Sequence, residues 1–318
     1  MWLIRSQYWE SIHSYFDRRV LEDALAAEAV NDLERTLRGP ILDELRGLAR
    51  CRALSREKAI TVVKKRGRKI PLSLARKMIG DFLAVSQRVP LAHGERRIDI
   101  RALRDAVMAM PRRSRLDWLP IFFKAYAIVA ANRPALRRLF VRRPWPYLYE
   151  HPENVGSVVI SRRLEGDDAL LYLPIVSPEK LSLRDIERVL EDARERPIAE
   201  IPAFRRQVRM ARLPGFCRRP LLRLGIDWTT RHRVRRLGTF GMSVLASMGI
   251  ANLTTWVPWT TMIHYTPFDD AGSMWLRIAL DHRVLDGLEV AYALREMEEV
   301  LNRQILDEVL QMDPAHNA

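Results

Sequence analysis

From Trp275 to Gly287 the chain reads Trp-Leu-Arg-Ile-Ala-Leu-Asp-His-Arg-Val-Leu-Asp-Gly. A β-type segment ends in His282-x-x-x-Asp286-Gly287, and a helical pattern follows at once, over Gly287 to Leu301. A strand that hands a histidine to a tight turn and then to a helix belongs in an α/β layer structure. It also places an imidazole at the strand end, the side-chain type suited to moving a proton near neutral pH. The motif is short, and a histidine before a turn-forming Asp-Gly also arises by chance. The rest of the chain decides its weight.

Upstream, helices and strands alternate. Helices are expected over Ser73 to Gln87, with Leu74, Met78, Ile79, Phe82 and Leu83 on one face, and over the apolar stretch Leu116 to Ala131. A further helix is expected over Ser182 to Arg196, with Ser182 as its N-cap. Strands are expected at Val155–Ile160, Ala169–Ile175, Phe240–Leu245, Met262–Tyr265 and Met274–Leu280. Val89 to Ile100 reads as extended, turning at His93-Gly94. Residues 1–57 read as helical, with Leu21, Leu25, Leu33 and Leu37 broken by Gly39-Pro40, and Lys64 to Lys69 as an exposed basic hinge. The division expected is a helical N-terminal extension with its hinge over 1–69, a catalytic domain over 70–312 and a frayed tail over 313–318.

Several of these stretches, in this order, resemble the acyltransferase core of 2-oxoacid dehydrogenase complexes and the related chloramphenicol acetyltransferase. Asp281-His282-Arg283-x-x-Asp286-Gly287 is similar to the signature of that superfamily, and Gly238-Thr239-Phe240-Gly241-Met242-Ser243-Val244-Leu245 to its Gly-Thr-Phe-Thr-Ile-Ser-Asn-Leu strand. Ile70 to Ile79 resembles its first helix, Val89 to Leu103 its first strand and turn, and Asp117 to Ala125 its long buried helix. The likeness runs over about residues 70 to 310. It implies the chloramphenicol-acetyltransferase-like fold, a two-layer α/β sandwich with a mixed sheet, here preceded by the helical N-terminal extension. It also implies an acyltransferase that uses a thioester. His282 would be the general base, and Ser243 the donor to the oxyanion of the tetrahedral intermediate. Asp286 would be buried against Arg76 of the first helix, fixing the histidine loop, and Gly287 would allow a tight helix start. The resemblance further implies a homotrimer whose sites lie between subunits, histidine from one chain and serine from its neighbour.

The chain departs from the pattern in ways that shape the expected function. Residues 1–69 are too few and too helical for a lipoyl domain, so no covalently bound lipoyl group is expected. A free-standing enzyme follows, with a coenzyme A or carrier-protein thioester as donor and a hydroxyl or amine of a small molecule as acceptor. The alternatives are a complex component fed by a lipoyl domain on another chain, and a non-catalytic trimeric scaffold. Ser243-Val244-Leu245-Ala246 replaces Ser-Asn-Leu-Gly, which leaves the acceptor's contacts open. Trp256 and Trp259 read either as core packing or as the wall of an apolar acceptor pocket.

Composition narrows the field further. With 318 residues the chain can bury a full core, and 48% apolar against 29% charged residues is a soluble globular balance. Cys51 and Cys217 lack disulfide-framework or metal-ligand spacing, so no metal is expected, and both read as reduced thiols in the cytoplasm. No signal-peptide pattern opens the chain, and no window approaches the roughly 20 apolar residues of a bilayer span. The net charge of +14 is mostly arginine, and residues 198–237 hold eleven arginines against two acids. That segment, longer than its family counterpart, is open to three readings: a cradle for coenzyme A phosphates, a peripheral contact with anionic lipid, or a basic surface loop. Nucleic acid ranks last, since no recognition motif accompanies the charge.

Overall fold

The computed structural model describes residues 68–243, 258–269 and 272–312. The expected N-terminal helices, the Lys64–Gly67 part of the hinge, Trp256 and the 313–318 tail lie outside these residues. The chain divides into two units, 1–70 and 71–318, and the second holds the architecture that follows.

Its elements are α1 (Leu74–Ser86), β1 (Leu91–Asp99), α2 (Arg101–Ala109), α3 (Trp118–Asn132), β2 (Arg138–Val141), β3 (Tyr147–Glu150), β4 (Val155–Leu164) and β5 (Asp167–Val176). They continue with α4 (Leu183–Glu195), α5 (Pro202–Arg212), α6 (Gly215–Asp227), α7 (Arg231–Leu237), β6 (Phe240–Met242), β7 (Thr261–Tyr265), β8 (Ser273–Asp281) and α8 (Gly287–Val300). A π-helical turn, Leu301–Ile305, leads from α8 into α9 (Leu306–Gln311). Six strands form one sheet in the order β1-β8-β7-β6-β4-β5. The β6 pairings with β4 and β7 are parallel and the others antiparallel, so the sheet is mixed as expected. β2 and β3 make a separate antiparallel pair.

The main core lies between one face of this sheet and the helices. α3 is apolar around nearly its whole circumference, so it is buried rather than half-exposed. Phe122 stacks on Tyr265 with centroids 4.3 Å apart, Tyr126 meets Phe240 edge-on at 4.9 Å, and the Tyr126 hydroxyl donates to Thr261 Oγ1 at 2.8 Å. The one cation inside this helix, Lys124, is held by Glu308 of α9, whose other carboxylate oxygen accepts from the Leu183 amide at 2.8 Å. Ser182 caps α4 as anticipated, its hydroxyl accepting from the Asp185 amide at 3.1 Å.

Two expectations fail for identifiable reasons. Gly94 does not turn the chain: β1 runs unbroken, with Gly94 opposite Ile278 of β8. The glycine is there because α8 crosses close above it, and a β-carbon would lie 2.7 Å from Val290 Cγ1. The arginine-rich stretch is not a loop either, but the three helices α5, α6 and α7. α5 buries Phe204, Val208 and Ala211 at helical spacing. Its Gln207 pairs with the backbone of Tyr172, accepting from the amide at 3.0 Å and donating to the carbonyl at 2.6 Å, which occupies the outer edge of β5. Arg218 is buried, pairs with Asp81 of α1, and donates to the carbonyls of Ala211 (3.1 Å) and Leu213 (2.8 Å). The segment therefore spends part of its charge on internal ties.

Candidate active site

β8 delivers His282 to the surface. Leu276, Ile278 and Leu280 are buried in the main core, which fixes the strand's register against β1 and β7. The His282 amide donates to the Pro90 carbonyl at 2.9 Å, and the ring nitrogen Nδ1 lies 3.0 Å from the Leu285 carbonyl. A carbonyl can only accept, so Nδ1 carries the hydrogen and the neutral ring keeps its lone pair on Nε2. The side chain is 51% exposed.

The loop is fixed by a different acid from the one expected. Asp286 is not buried against Arg76: its side chain is 85% exposed and its Oδ1 lies 3.5 Å from His282 Nδ1. Arg76 is exposed on α1, and the two form no ion pair with each other. Asp281 does the anchoring. It is 2% exposed and takes Nε (2.8 Å), Nη2 (2.6 Å) and the backbone amide (3.1 Å) of Arg283. The Arg283 guanidinium lies 4.3 Å over the Phe140 ring. Behind it Arg233 is buried and donates to the carbonyls of Phe140 (3.0 Å), Ile226 (3.2 Å) and Pro258 (2.9 Å). Burial lowers its pKa to about 10, with Asp281 acting in the opposite direction, so it remains a cation at neutral pH. A buried carboxylate between two arginines is easily read as a helix-end or surface pair in sequence, because nothing in Asp281-His282-Arg283 marks which acid goes inside. Gly287 opens α8, but a β-carbon there meets nothing within 4 Å, so a tight helix start is not what requires it.

Ser243 follows β6, where Gly238 (φ 90°) turns the chain into the strand; a β-carbon there would lie 2.5 Å from the Val155 carbonyl. The Ser243 carbonyl accepts from Nδ1 of the buried His264 at 2.6 Å. Burial lowers the His264 pKa to about 4, against the opposing effect of that hydrogen bond. His264 stands opposite Arg277 in the β7–β8 ladder, and Arg277 Nε donates to Glu95 at 2.7 Å. Sequence reading singled out neither His264 nor Asp281. Ser243 is thus level with Arg277, five positions before His282, roughly 17 Å along the strand. One chain does not bring the two together. Trp259 is core, 1% exposed and edge-on to Tyr172 at 5.3 Å, and forms no acceptor wall.

No cluster of three metal-ligating side chains occurs among the described residues, and no described helix is long and apolar enough to cross a membrane. A small recess of about 30 Å³ next to the histidine loop is lined by Arg88, Arg142, Arg223, Arg233 and Arg283 together with Asp227.

No protein-family model and no curated protein matches the sequence. Solved structures do. A probable dihydrolipoamide acetyltransferase from Listeria monocytogenes 4b F2365 is 19% identical, with a TM-score of 0.52 over 79% of this chain and 98% of that one. The Azotobacter vinelandii dihydrolipoamide acetyltransferase, in which a serine, a histidine and an asparagine were investigated for their role in catalysis, is 16% identical, with a TM-score of 0.55 over 76% and 94%. The cubic core of the pyruvate dehydrogenase multienzyme complex is 18% identical, with a TM-score of 0.56 over 77% and 96%. The chain has the fold of the dihydrolipoamide acetyltransferase cores.

Proposed function

We propose that this chain is an acyltransferase that moves an acyl group from a coenzyme A or carrier-bound thioester to a hydroxyl or amine acceptor. The observation that carries this reading is the His282 ring, oriented by the Leu285 carbonyl through Nδ1 and half-exposed at the end of β8. Nε2 takes the acceptor's proton as its oxygen or nitrogen attacks the thioester carbonyl. The oxyanion then collapses, the carbon–sulfur bond breaks, and the imidazolium returns the proton to the leaving thiolate. Ser243 is the proposed hydrogen-bond donor to the oxyanion. Its separation from His282 within one chain favours a site assembled by two copies, and a closed trimer would supply one such site per interface. The recess beside the loop, where five arginines outnumber the single carboxylate Asp227, suits a phosphate group of a donor such as coenzyme A, because guanidinium forks match phosphate oxygens. Asp286 is a positioning residue in this scheme, its exposed carboxylate 3.5 Å from His282 Nδ1.

The fold relatives keep a second reading in play, in which the acyl group arrives on a lipoyl domain of another chain. The deciding experiment presents a panel of acyl-coenzyme A thioesters to wild type and His282→Ala. Free coenzyme A released by wild type and absent with the variant supports the first reading. Turnover with acyl-lipoamide alone supports the second, and thioester binding without turnover of either donor points to a scaffold.

A further inference from the structure

α1 and the three helices α5, α6 and α7 line a half-open cavity of about 380 Å³. It contains neither His282 nor Ser243, and it meets the arginine recess only at Ile226 and Arg233. Its inner wall is apolar, with Met78, Phe82, Met210, Leu222, Ile226 and Leu237. An engineered apolar cavity of about 150 Å³ already binds benzene, and at about 30 Å³ per heavy atom this one has room for roughly a dozen. Its charge is of one sign. Asp81, the carboxylate on the wall, is neutralised by Arg218 and Arg219, whereas Arg206, Arg209 and Arg236 border the cavity with no carboxylate within 4.0 Å among the described residues. Arg233 reaches the same space, buried, with its Nε lacking a hydrogen-bond partner. An apolar space bordered by unpaired guanidinium groups, and by a buried arginine with one unpartnered donor, asks for a ligand with an apolar tail and an anionic head. We propose that this cavity binds a medium-chain carboxylate, the anion of a fatty acid, with its tail between α1 and α6 and its carboxylate among the arginines.

The test is calorimetric titration of the full chain with saturated carboxylates from hexanoate to decanoate, with 1-decanol, and with phosphatidylglycerol vesicles. Decanoate is expected to saturate at one per chain, affinity rising about fourfold per methylene along the series, and decanol to bind more weakly. Gly225 borders the cavity, and a β-carbon added there meets nothing within 4 Å. Gly225→Leu therefore puts a side chain into the ligand's space without a clash, and is expected to weaken decanoate at least about tenfold with the circular dichroism of the fold unchanged. Leu222→Trp repeats the block from a second position. Arg206→Ser with Arg236→Ser should weaken decanoate and leave decanol alone. His282→Ala should bind as wild type, which separates this proposal from the acyltransferase reading. Absence of saturation, equal affinity along the series, or indifference to both blocking variants overturns it. Vesicle binding without decanoate binding also overturns it, in favour of a lipid-surface contact.

Discussion

Asp281 and Asp286 flank His282 but belong to different environments, and their variants should separate accordingly. Asp281→Ala strips Arg283 of its partner and removes the larger of the two counter-charges of the buried Arg233, leaving only Asp227. Breaking such a pair costs about 3–5 kcal/mol, which urea unfolding would read, and acyl transfer should fall with it because the loop is released. Asp286→Asn removes an exposed carboxylate 3.5 Å from the ring, and exposed pairs contribute at most about 1 kcal/mol, so kcat/KM should drop by no more than about fivefold. His264 gives a pH signature. Its folded pKa of about 4 lies below the unfolded value, so the unfolded chain binds the extra proton. Its contribution is present in full above pH 6.5 and is lost as pH falls from there through 4, a change of about 3 kcal/mol at most. His264→Gln should flatten that part of the stability profile, and an unchanged slope would show that the loss comes from other groups.

Among the elements, those that were legible in the sequence carry a strong period or a strong cap. α1, α3, α4 and β8 fall within two residues of the ranges expected from apolar spacing, from the Ser182 cap and from the strand-to-His282 junction. α5 had the same signal, Phe204, Val208 and Ala211, but seven arginines over α5 and α6 masked it. α6 buries only Arg218 and Ile226, so its place is set by ion pairing with Asp81 rather than by any amphipathic stripe. No local pattern marks β2 and β3 against the neighbouring Pro-rich chain, and none tells that Asp281 rather than Asp286 turns inward. Gly94 reads as a turn because glycine usually marks one, whereas the demand for it comes from α8, about two hundred residues away in sequence. Gly94→Ala should therefore cost about 1–3 kcal/mol through the contact with Val290. Glu308→Ala acts between elements, leaving Lys124 inside α3 without its partner. The loss should be about 3 kcal/mol in chemical denaturation, and Lys124→Met in the same chain should recover much of it.

At the scale of the whole molecule, the proposed reaction centre is incomplete in one chain. His282 and Ser243 each have a fixed local setting, one at the end of β8 and the other after β6, on strands that are not neighbours. Side chains cannot span roughly 17 Å of strand, so if both act on one substrate they come from different copies. This gives a prediction that no single-chain site can meet. His282→Ala and Ser243→Ala are each expected to be nearly inactive as pure assemblies. When the two are unfolded together and reassembled in equal amounts, a random closed ring joins an intact histidine to an intact serine at about a quarter of its interfaces. Activity should return to about that fraction of wild type, and should appear only after subunits exchange, which native mass spectrometry would follow. Recovery on that scale locates the site between copies. No recovery from fully exchanged assemblies would instead mean that Ser243 acts only on the structure of its own chain, and the oxyanion donor would have to be sought nearer His282.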